Sequence, residues 1–262
     1  MRKAILHHIS SDIGRNSSIG YRSEKICQYS KKDFNITIIC RSYKKSQSDI
    51  KNIWTIKIVF LLSKMFALLR IYGFQNFPAR EYELFIFNSL SIPLVFIHYI
   101  FNRKSKRYFH SWDTAYWLLF IVKKLNYIII KDCAMTPAKI SLLSTKLYPN
   151  YYQDKTTKDS YINKEEKIFY ISDIIISPSV FSSNFIINEY KISPKKLRTI
   201  PFGVNFENYK TSRTARSKKR KYLRIGFVGV VNMRKGIRWL INDLNKVSQN
   251  QNKIFELHLF GR

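Results

Sequence analysis

Short apolar runs rich in isoleucine recur along the chain, and most are followed by a segment with helical periodicity. Runs that are apolar throughout are typical of strands buried on both faces of a parallel sheet. This alternation predicts an α/β fold, because parallel strands need crossover connections that are usually helical. The strands predicted in the first 200 residues are Lys3–Ser10, Asn35–Cys40, Tyr82–Ser89, Arg107–His110, Tyr127–Lys131, Ile174–Ser177 and Leu197–Ile200.

Two apolar stretches have a second interpretation that involves a membrane. Ile53–Tyr72 carries an apolar stripe with interspersed basic residues, which suits a helix packed on the sheet or an amphipathic helix resting on anionic lipid. Leu84–Phe101 is long, but its polar residues and proline favour a strand followed by a buried helix, Ser91–Phe101, over a membrane span. We predict no transmembrane helix. The other predicted helices are Ser23–Lys31, Thr114–Leu125, residues 138–169 and Ser179–Tyr190.

Polar residues follow several of the predicted strands. A loop with Gly14 and Gly20 follows the first strand, and right-handed crossovers place such loops at the carboxyl edge of the sheet, where ligands bind. Its glycines do not match the GxGxxG dinucleotide fingerprint. His110 and Asp132 end two later strands, where polar groups suit substrate binding. The alternative is that each is a loop residue or a satisfied core residue.

A second strand–helix–strand unit follows a basic segment. Residues 213–224 contain seven basic residues in twelve and no acid, which is typical of a solvated linker, with lipid binding as the alternative. The unit then comprises strand Leu223–Val230, helix Gly236–Ser248 and strand Ile254–Phe260. The predicted domains are residues 1–207, a basic linker at 208–222, and residues 223–262.

The turn between the first strand and the helix of this unit suits a diphosphate. Gly229 permits close approach of the backbone, and the helix that begins near Gly236 offers unpaired N–H groups and a positive dipole end. Arg234 and Lys235 add cationic donors. A basic turn without a ligand is the alternative.

The net charge of +29 favours polyanionic partners: nucleic acid, an anionic lipid surface or phosphorylated small molecules. An AT-rich genome is an alternative source of part of this basic excess. Three widely spaced cysteines predict a reducing compartment, and the histidines lack metal-binding spacings. We therefore predict neither a metal site nor a cofactor.

Near the junction of the two predicted domains, several blocks of sequence resemble a known family. Tyr170-Ile-Ser-Asp-Ile-Ile-Ile-Ser-Pro-Ser-Val-Phe and Ile-Ser-Pro-Lys-Lys-Leu-Arg-Thr-Ile-Pro-Phe-Gly-Val-Asn resemble the segments that close the N-terminal domain of family 4 glycosyltransferases. Gly226-Phe-Val-Gly-Val-Val-Asn-Met-Arg-Lys-Gly-Ile-Arg-Trp-Leu-Ile and Glu256-Leu-His-Leu-Phe-Gly-Arg look like the opening of that family's donor domain. The match covers residues 165–262. Residues 1–164 are compatible with it, including Phe109-His-Ser-Trp.

The resemblance implies a GT-B architecture and retaining transfer of a sugar from a nucleotide-diphosphate sugar, without metal, to a polysaccharide or lipid-linked acceptor. It also implies that Gly229, Arg234, Lys235 and Gly236 bind the donor diphosphate. Val230 stands where the family usually has its arginine, and Arg234 is the implied substitute.

On the acceptor side, the resemblance makes His110 a candidate catalytic residue. Gly20 and Asp132 are candidate substrate-binding residues. The loop before Gly20 lacks the double glycine that is common in the family.

The family's donor domain continues past residue 262 with a motif that binds the donor sugar, so we expect this chain alone to be impaired or inactive. The alternatives are a non-enzymatic basic protein that binds anionic membrane or nucleic acid, and a decayed gene product without a stable fold. No nucleic-acid-binding signature is present, so nucleic acid is not expected. We expect a cytoplasmic protein, peripheral on the inner face of the cytoplasmic membrane.

Overall fold

The computed structural model describes residues 3–13, 18–44, 52–72, 79–133, 137–147, 159–203, 223–231, 235–251 and 255–261. The chain divides into two compact units, which comprise residues 1–138 with 158–201, and residues 139–157 with 202–262. Both contain parallel strands, so the predicted α/β class is confirmed. The predicted linker at 208–222 lies outside the described residues.

The first unit is built on a seven-stranded parallel sheet in the order β3–β2–β1–β4–β5–β6–β7, a Rossmann-like arrangement. Its strands are β1 Lys3–Ile13, β2 Phe34–Tyr43, β3 Asn52–Thr55, β4 Lys106–Ser111, β5 Ile128–Asp132, β6 Ile174–Ser177 and β7 Leu197–Thr199. Its helices are α1 Ser18–Ser30, α2 Lys57–Ile71, α3 Ala79–Phe101, α4 Tyr116–Lys124, α6 Asp159–Ile171 and α7 Val180–Glu189. A short 3₁₀ helix, Pro194–Lys196, precedes β7.

The two faces of this sheet carry separate apolar cores. On one face, Leu6 of β1 and the neighbouring Phe109 of β4 pack with residues of α2, α3 and α4. On the other face, Ile5 and Ile9 pack with Cys27 of α1. Alternate residues of β1 therefore point into different cores, as the period of a strand requires.

Two predicted elements were wrong. Tyr82–Ser89 is not a strand but the first part of α3, a single helix of 23 residues. Its polar side chains bond to carbonyls one turn back, as from Asn88 Nδ2 to Leu84 O at 2.6 Å, so they do not interrupt the helix. The start of the predicted helix Ile53–Tyr72 is strand β3, and the helix begins only at Lys57.

The other helices follow the prediction more closely. The predicted helical segment 138–169 contains two helices, α5 Ala138–Leu147 and α6. The N-cap of α7 is Ser179, whose side chain accepts a hydrogen bond from Ser182 N at 3.2 Å.

Within the described residues, α3 is the one helix long and apolar enough to cross a membrane by length and composition, with a mean hydropathy of 1.9 over its most apolar window. Only 28% of that window is buried. The buried side includes Phe87 and Val95, which belong to the core of the first unit. Core helices of soluble proteins share this length and composition, so the absence of a transmembrane helix stays a prediction.

The second unit contains a parallel strand pair joined by a helix. The strands and this helix are β8 Leu223–Val228, α8 Ile237–Gln251 and β9 Phe255–Phe260, and the unit also includes residues 139–147 of α5. The strands pair in register from Leu223 opposite Phe255 to Val228 opposite Phe260. The predicted order of strand, helix and strand is confirmed, with bounds that differ by a few residues.

Candidate functional site

The carboxyl edge of the first unit's sheet has a topological switch point at β1. From β1 the chain adds β2 and β3 on one side, and then crosses to the other side for β4 to β7. Connections leave such a point in opposite directions, which opens a crevice outside the strand ends where ligands bind in this class of fold. The predicted site residues His110 and Asp132 lie on β4 and β5, next to this point.

Four side chains form a continuous polar chain across this edge. His7 Nδ1 lies 3.1 Å from His110 Nδ1. His110 Nε2 lies 3.5 Å from Asp132 Oδ2, and Arg22 of α1 donates to the same oxygen at 3.1 Å. The side chains of His110 and Asp132 are only 3% and 1% exposed, so these contacts lie in a medium of low polarity. We call these four residues the edge cluster.

Electrostatics keep Asp132 ionised and His7 neutral. Burial by itself raises the pKa of Asp132, but the hydrogen bond and charge of His110 and the charge of Arg22 outweigh burial and lower it. Burial, and then the charge of His110, lower the pKa of His7 well below its usual range. The edge cluster therefore combines a carboxylate, an arginine and a neutral imidazole.

The hydrogen-bond pattern restricts the tautomers of the two histidines. If His110 is neutral and donates from Nε2 to Asp132, its Nδ1 must accept a hydrogen bond from Nδ1–H of His7. If His110 is protonated, it donates to both neighbours. In either state, Nε2 of His7 is left without a hydrogen-bond partner among the described residues. Buried polar atoms are rarely left unpaired, so this nitrogen is available to a ligand or a water molecule.

Trp112 extends the edge cluster on the side of α1. Arg22 lies over its ring, with Cζ 5.7 Å from the ring centroid, and the indole is 4% exposed. Within the described part of the chain, Trp112 Nε1 and Ser23 Oγ are also buried without hydrogen-bond partners. The edge thus combines an aromatic face, a charged pair and unused donors, a composition that suits a polar ligand.

The sequence identified only part of this cluster. His110 and Asp132 meet as their strand-end positions suggested, and Gly20 lies buried in the first turn of α1, next to the turn that carries Arg22. The sequence pattern does not single out His7, which lies within an apolar strand, or Arg22. The available signal was the pair His7-His8 within an otherwise apolar predicted strand.

In the second unit, the turn after β8 is shaped by glycines. Gly229 has φ +144° and donates from its backbone N to Phe260 O at 2.8 Å, and Gly236 has φ +76° before α8. Other residues adopt such angles only with strain. Lys235 is exposed beside this turn. Arg234 lies outside the described residues, so its predicted role stays a prediction.

A third glycine, which the sequence reasoning did not single out, also constrains this turn. A Cβ added to Gly261 would lie 1.9 Å from Gly229 O. The backbones at the ends of β8 and β9 therefore approach more closely than any side chain allows. The motif Leu-Phe-Gly-Arg at the end of the chain carried this signal.

Among the described residues, no group of three or more His, Cys, Asp or Glu side chains is placed to hold a metal ion. All three cysteines are buried. Burial raises the pKa of Cys27, Cys40 and Cys133 to about 12, so these thiols stay protonated at neutral pH.

No protein-family model and no curated protein matches this chain. Among solved structures, it is similar to a glycosyltransferase from Rickettsia africae ESF-5, with a TM-score of 0.48 and 14% identity over 99% of this chain and 60% of that one. Anabaena Alr3699/HepE in complex with UDP and glucose gives a TM-score of 0.45 and 12% identity over 99% of this chain and 70% of that one. A UDP-glucosyltransferase from Polygonum tinctorium gives a TM-score of 0.49 and 8% identity over 100% of this chain and 72% of that one. The chain thus spans 60% of the Rickettsia structure's length, and similarities this weak assign no function.

Proposed function

We propose that the chain belongs to a nucleotide-sugar glycosyltransferase of the retaining family 4, GT-B type, which transfers a sugar to a polysaccharide or lipid-linked acceptor. The observation that carries the proposal is the β8–α8 turn. Gly229 and Gly236 both have positive φ there, and Lys235 lies between them at the start of the helix. A glycine turn that leads into a helix N-terminus presents backbone N–H groups to a phosphate.

In this proposal, the donor diphosphate binds at the β8–α8 turn. The backbone N–H groups at the start of α8 donate to phosphate oxygens, and Lys235 supplies a compact positive charge. Arg234 supplies the second cation that the resemblance implies. No metal is needed, because these donors neutralise the leaving diphosphate as its charge develops.

The edge cluster is assigned to the acceptor side. His110 has one ring nitrogen towards Asp132 and the other towards His7, so its orientation is held from both sides. With both of its ring nitrogens engaged, His110 acts by orienting His7. Nε2 of His7 has no partner among the described residues, so it is the nitrogen of this pair that is left for a sugar hydroxyl. Gly20, which lacks a side chain, lets a ligand approach the first turn of α1. The proposal places the reaction in the cytoplasm, at the inner face of the cytoplasmic membrane.

Binding of nucleotide-diphosphate sugars tests the proposal directly. Isothermal titration calorimetry with a panel of UDP-, GDP-, ADP- and dTDP-sugars is expected to detect one base class that binds the purified chain. Lys235→Ala is expected to weaken that binding about tenfold, the usual effect of removing one charge-assisted contact. The matched control is Lys246→Ala, which removes an exposed lysine within α8 that pairs with Asp243. Absence of binding across the panel, or equal affinity in the two variants, would overturn the proposal.

A further inference from the structure

The outer surface of one helical layer in the first unit is unusually apolar. Helices α2, α3 and α4 cover one face of the sheet with their inner sides. Their outer sides expose large apolar residues, including Leu61, Leu68, Phe85, Ile100, Phe101 and Phe120. Phe101 is 82% exposed and Leu61 is 63% exposed. We call this surface the helical face.

Exposed charges on the helical face are of one sign over most of its length. Helices α2 and α4 contain no acidic residue, and α3 contains none after Glu83. Two lysines lie against aromatic rings, with Lys64 Nζ 4.8 Å from the centroid of the half-buried Phe60 and Lys124 Nζ 5.4 Å from that of the exposed Phe120. This is how lysines cover apolar surface while they hold their charge in water, as at a membrane interface.

An open depression of about 510 Å³ lies beside the helical face, between α4 and α6. Its lining combines aromatic rings with ammonium groups, from Phe120, Tyr170, Lys124 and Lys167 among others. Aromatic side chains are enriched where a protein meets the headgroup layer, and lysines are attracted to anionic headgroups. The depression therefore has the chemistry that suits an anionic lipid headgroup.

We propose that the helical face docks on an anionic lipid bilayer, with its apolar side chains at the acyl boundary and its lysines against lipid phosphates. Nucleic acid has the matching charge but offers no partner to Phe101 or Ile100. A second copy of the chain carries the same positive charge, so electrostatic repulsion opposes its approach. An anionic bilayer satisfies both the apolar and the charged parts of this surface.

In this proposal, α3 lies on the bilayer and does not cross it. Its inner side, with Phe87 and Val95, is fully buried in the core, and its Ser91 hydroxyl lies 2.9 Å from His8 Nε2 on β1. Moving α3 into a membrane would expose that core. Docking by the outer side alone leaves the first unit intact.

This inference extends the proposed function, since a docked chain meets a lipid-linked acceptor, but its evidence and its test do not depend on the sugar-transfer reaction. Flotation with phosphatidylcholine vesicles that contain either no anionic lipid or about 30% phosphatidylglycerol measures this docking. We expect the full chain to float only with the anionic vesicles, and less so as salt is raised.

A double variant and a matched control locate the contact. Ile100→Ser with Phe101→Ser is expected to reduce vesicle affinity about tenfold or more, because two apolar side chains no longer enter the interface. The control is Tyr29→Ser, which removes a 73% exposed aromatic residue of α1, on the other side of the sheet. Unchanged vesicle binding in the double variant would overturn the inference. So would concentration-dependent dimerisation, or binding of duplex DNA, that competes with vesicles and is lost in the double variant.

A labelling experiment tests the orientation without relying on affinity. The native cysteines are buried, so a cysteine at an exposed position is the reactive one. An environment-sensitive fluorophore on Phe101→Cys is expected to shift to the blue on addition of anionic vesicles, whereas the same label on Tyr29→Cys is expected not to shift. Equal shifts at both positions, or no shift at position 101, would contradict docking through the helical face.

Discussion

The carboxyl edges of the two units are built in different ways. In the first unit, the edge cluster consists of buried side chains that meet from strands and a helix more than 100 residues apart, as His7 and His110 do. In the second unit, the edge consists of backbone, because Gly229, Gly236 and Gly261 bring chain segments close without side chains. The first edge is sensitive to charge and pH, and the second to the volume of a single methyl group.

The largest effect is expected at the backbone edge. Gly261→Ala places a Cβ 1.9 Å from Gly229 O, a backbone atom that cannot move aside freely. We expect the free energy of opening of the β8–β9 pair to fall by about 3 kcal/mol, the upper part of the usual overpacking range. Hydrogen exchange at β8 and β9 amides measures this loss, while protection in β1 and β4 should be unchanged.

The control for this variant lies on β8 itself. Gly226→Ala places its Cβ 3.9 Å from a Phe260 ring atom, which is ordinary contact. Its exchange should therefore resemble that of the unmodified chain. If both variants lost protection equally, the close approach of the two strand ends would not be what constrains this edge.

The charged edge is expected to respond next. Arg22→Met removes the arginine from the Asp132 carboxylate, which is only 1% exposed. Within the edge cluster, His110 is then the residue that still contacts this carboxylate. Solvent reaches 17% of the Arg22 side chain, so we expect a loss of about 2 kcal/mol at pH 7, below the range for fully buried pairs. Arg80→Met is the matched control, because the Arg80–Asp113 pair spans 2.9 Å but Arg80 is 61% exposed. Urea unfolding should show a change below about 1 kcal/mol for that control.

The pH dependence follows from the direction of the Asp132 shift. Its pKa is lowered in the folded chain, so ionised Asp132 stabilises the fold above its unfolded pKa of about 4, and this contribution is lost as pH falls through the folded value. The deficit of Arg22→Met should therefore be constant from pH 7 to about 5 and shrink below about 4. A deficit that is the same at low pH would show that Arg22 acts by packing on Trp112 and not by charge.

Effects of similar or smaller size are expected to distinguish two neighbouring histidines within the first unit. His8 has both ring nitrogens paired, with Thr114 Oγ1 at 2.8 Å and Ser91 Oγ at 2.9 Å, whereas His7 has one unpaired nitrogen among the described residues. His8→Leu is expected to cost about 2 kcal/mol, since it removes two buried hydrogen bonds and the Thr114 hydroxyl loses its bond to His8, although Ser91 Oγ keeps its bond to Phe87 O at 2.7 Å. His7→Leu is expected to cost less than about 1 kcal/mol, because it also removes the unpaired nitrogen. Equal losses in urea unfolding would show that His7 is as structural as His8.

The His8→Leu variant is also expected to change how stability depends on pH. Burial lowers the pKa of His8 from 6.5 to about 3, so the unfolded chain takes up a proton below pH 6.5 that the folded chain does not. Stability therefore falls as pH decreases from about 6.5 towards 3. The slope of this fall should be reduced in His8→Leu, because that variant lacks the titrating ring.

The amino-acid pattern was sufficient for most of the fold of the first unit but not for α3. Strands β1 and β5 are rich in isoleucine and β4 contains aromatic residues, so local preference and tertiary packing agree. Tyr82–Ser89 has the same composition as a strand, and only the continuous helix from Ala79 to Phe101 distinguishes the two. A short apolar run has no period that separates a strand from a buried helix.

The sequence by itself determined the α/β alternation and the glycine turn before α8, because strand and helix periods and positive φ angles are properties of short segments. Only the tertiary structure decided that Arg22 meets Asp132, 110 residues away, and that His7 meets His110. Those contacts depend on which strands become neighbours and in which register, and in a parallel sheet every such pairing joins segments that are distant along the chain. Strand order therefore selected, from several buried polar residues, the ones that became the edge cluster.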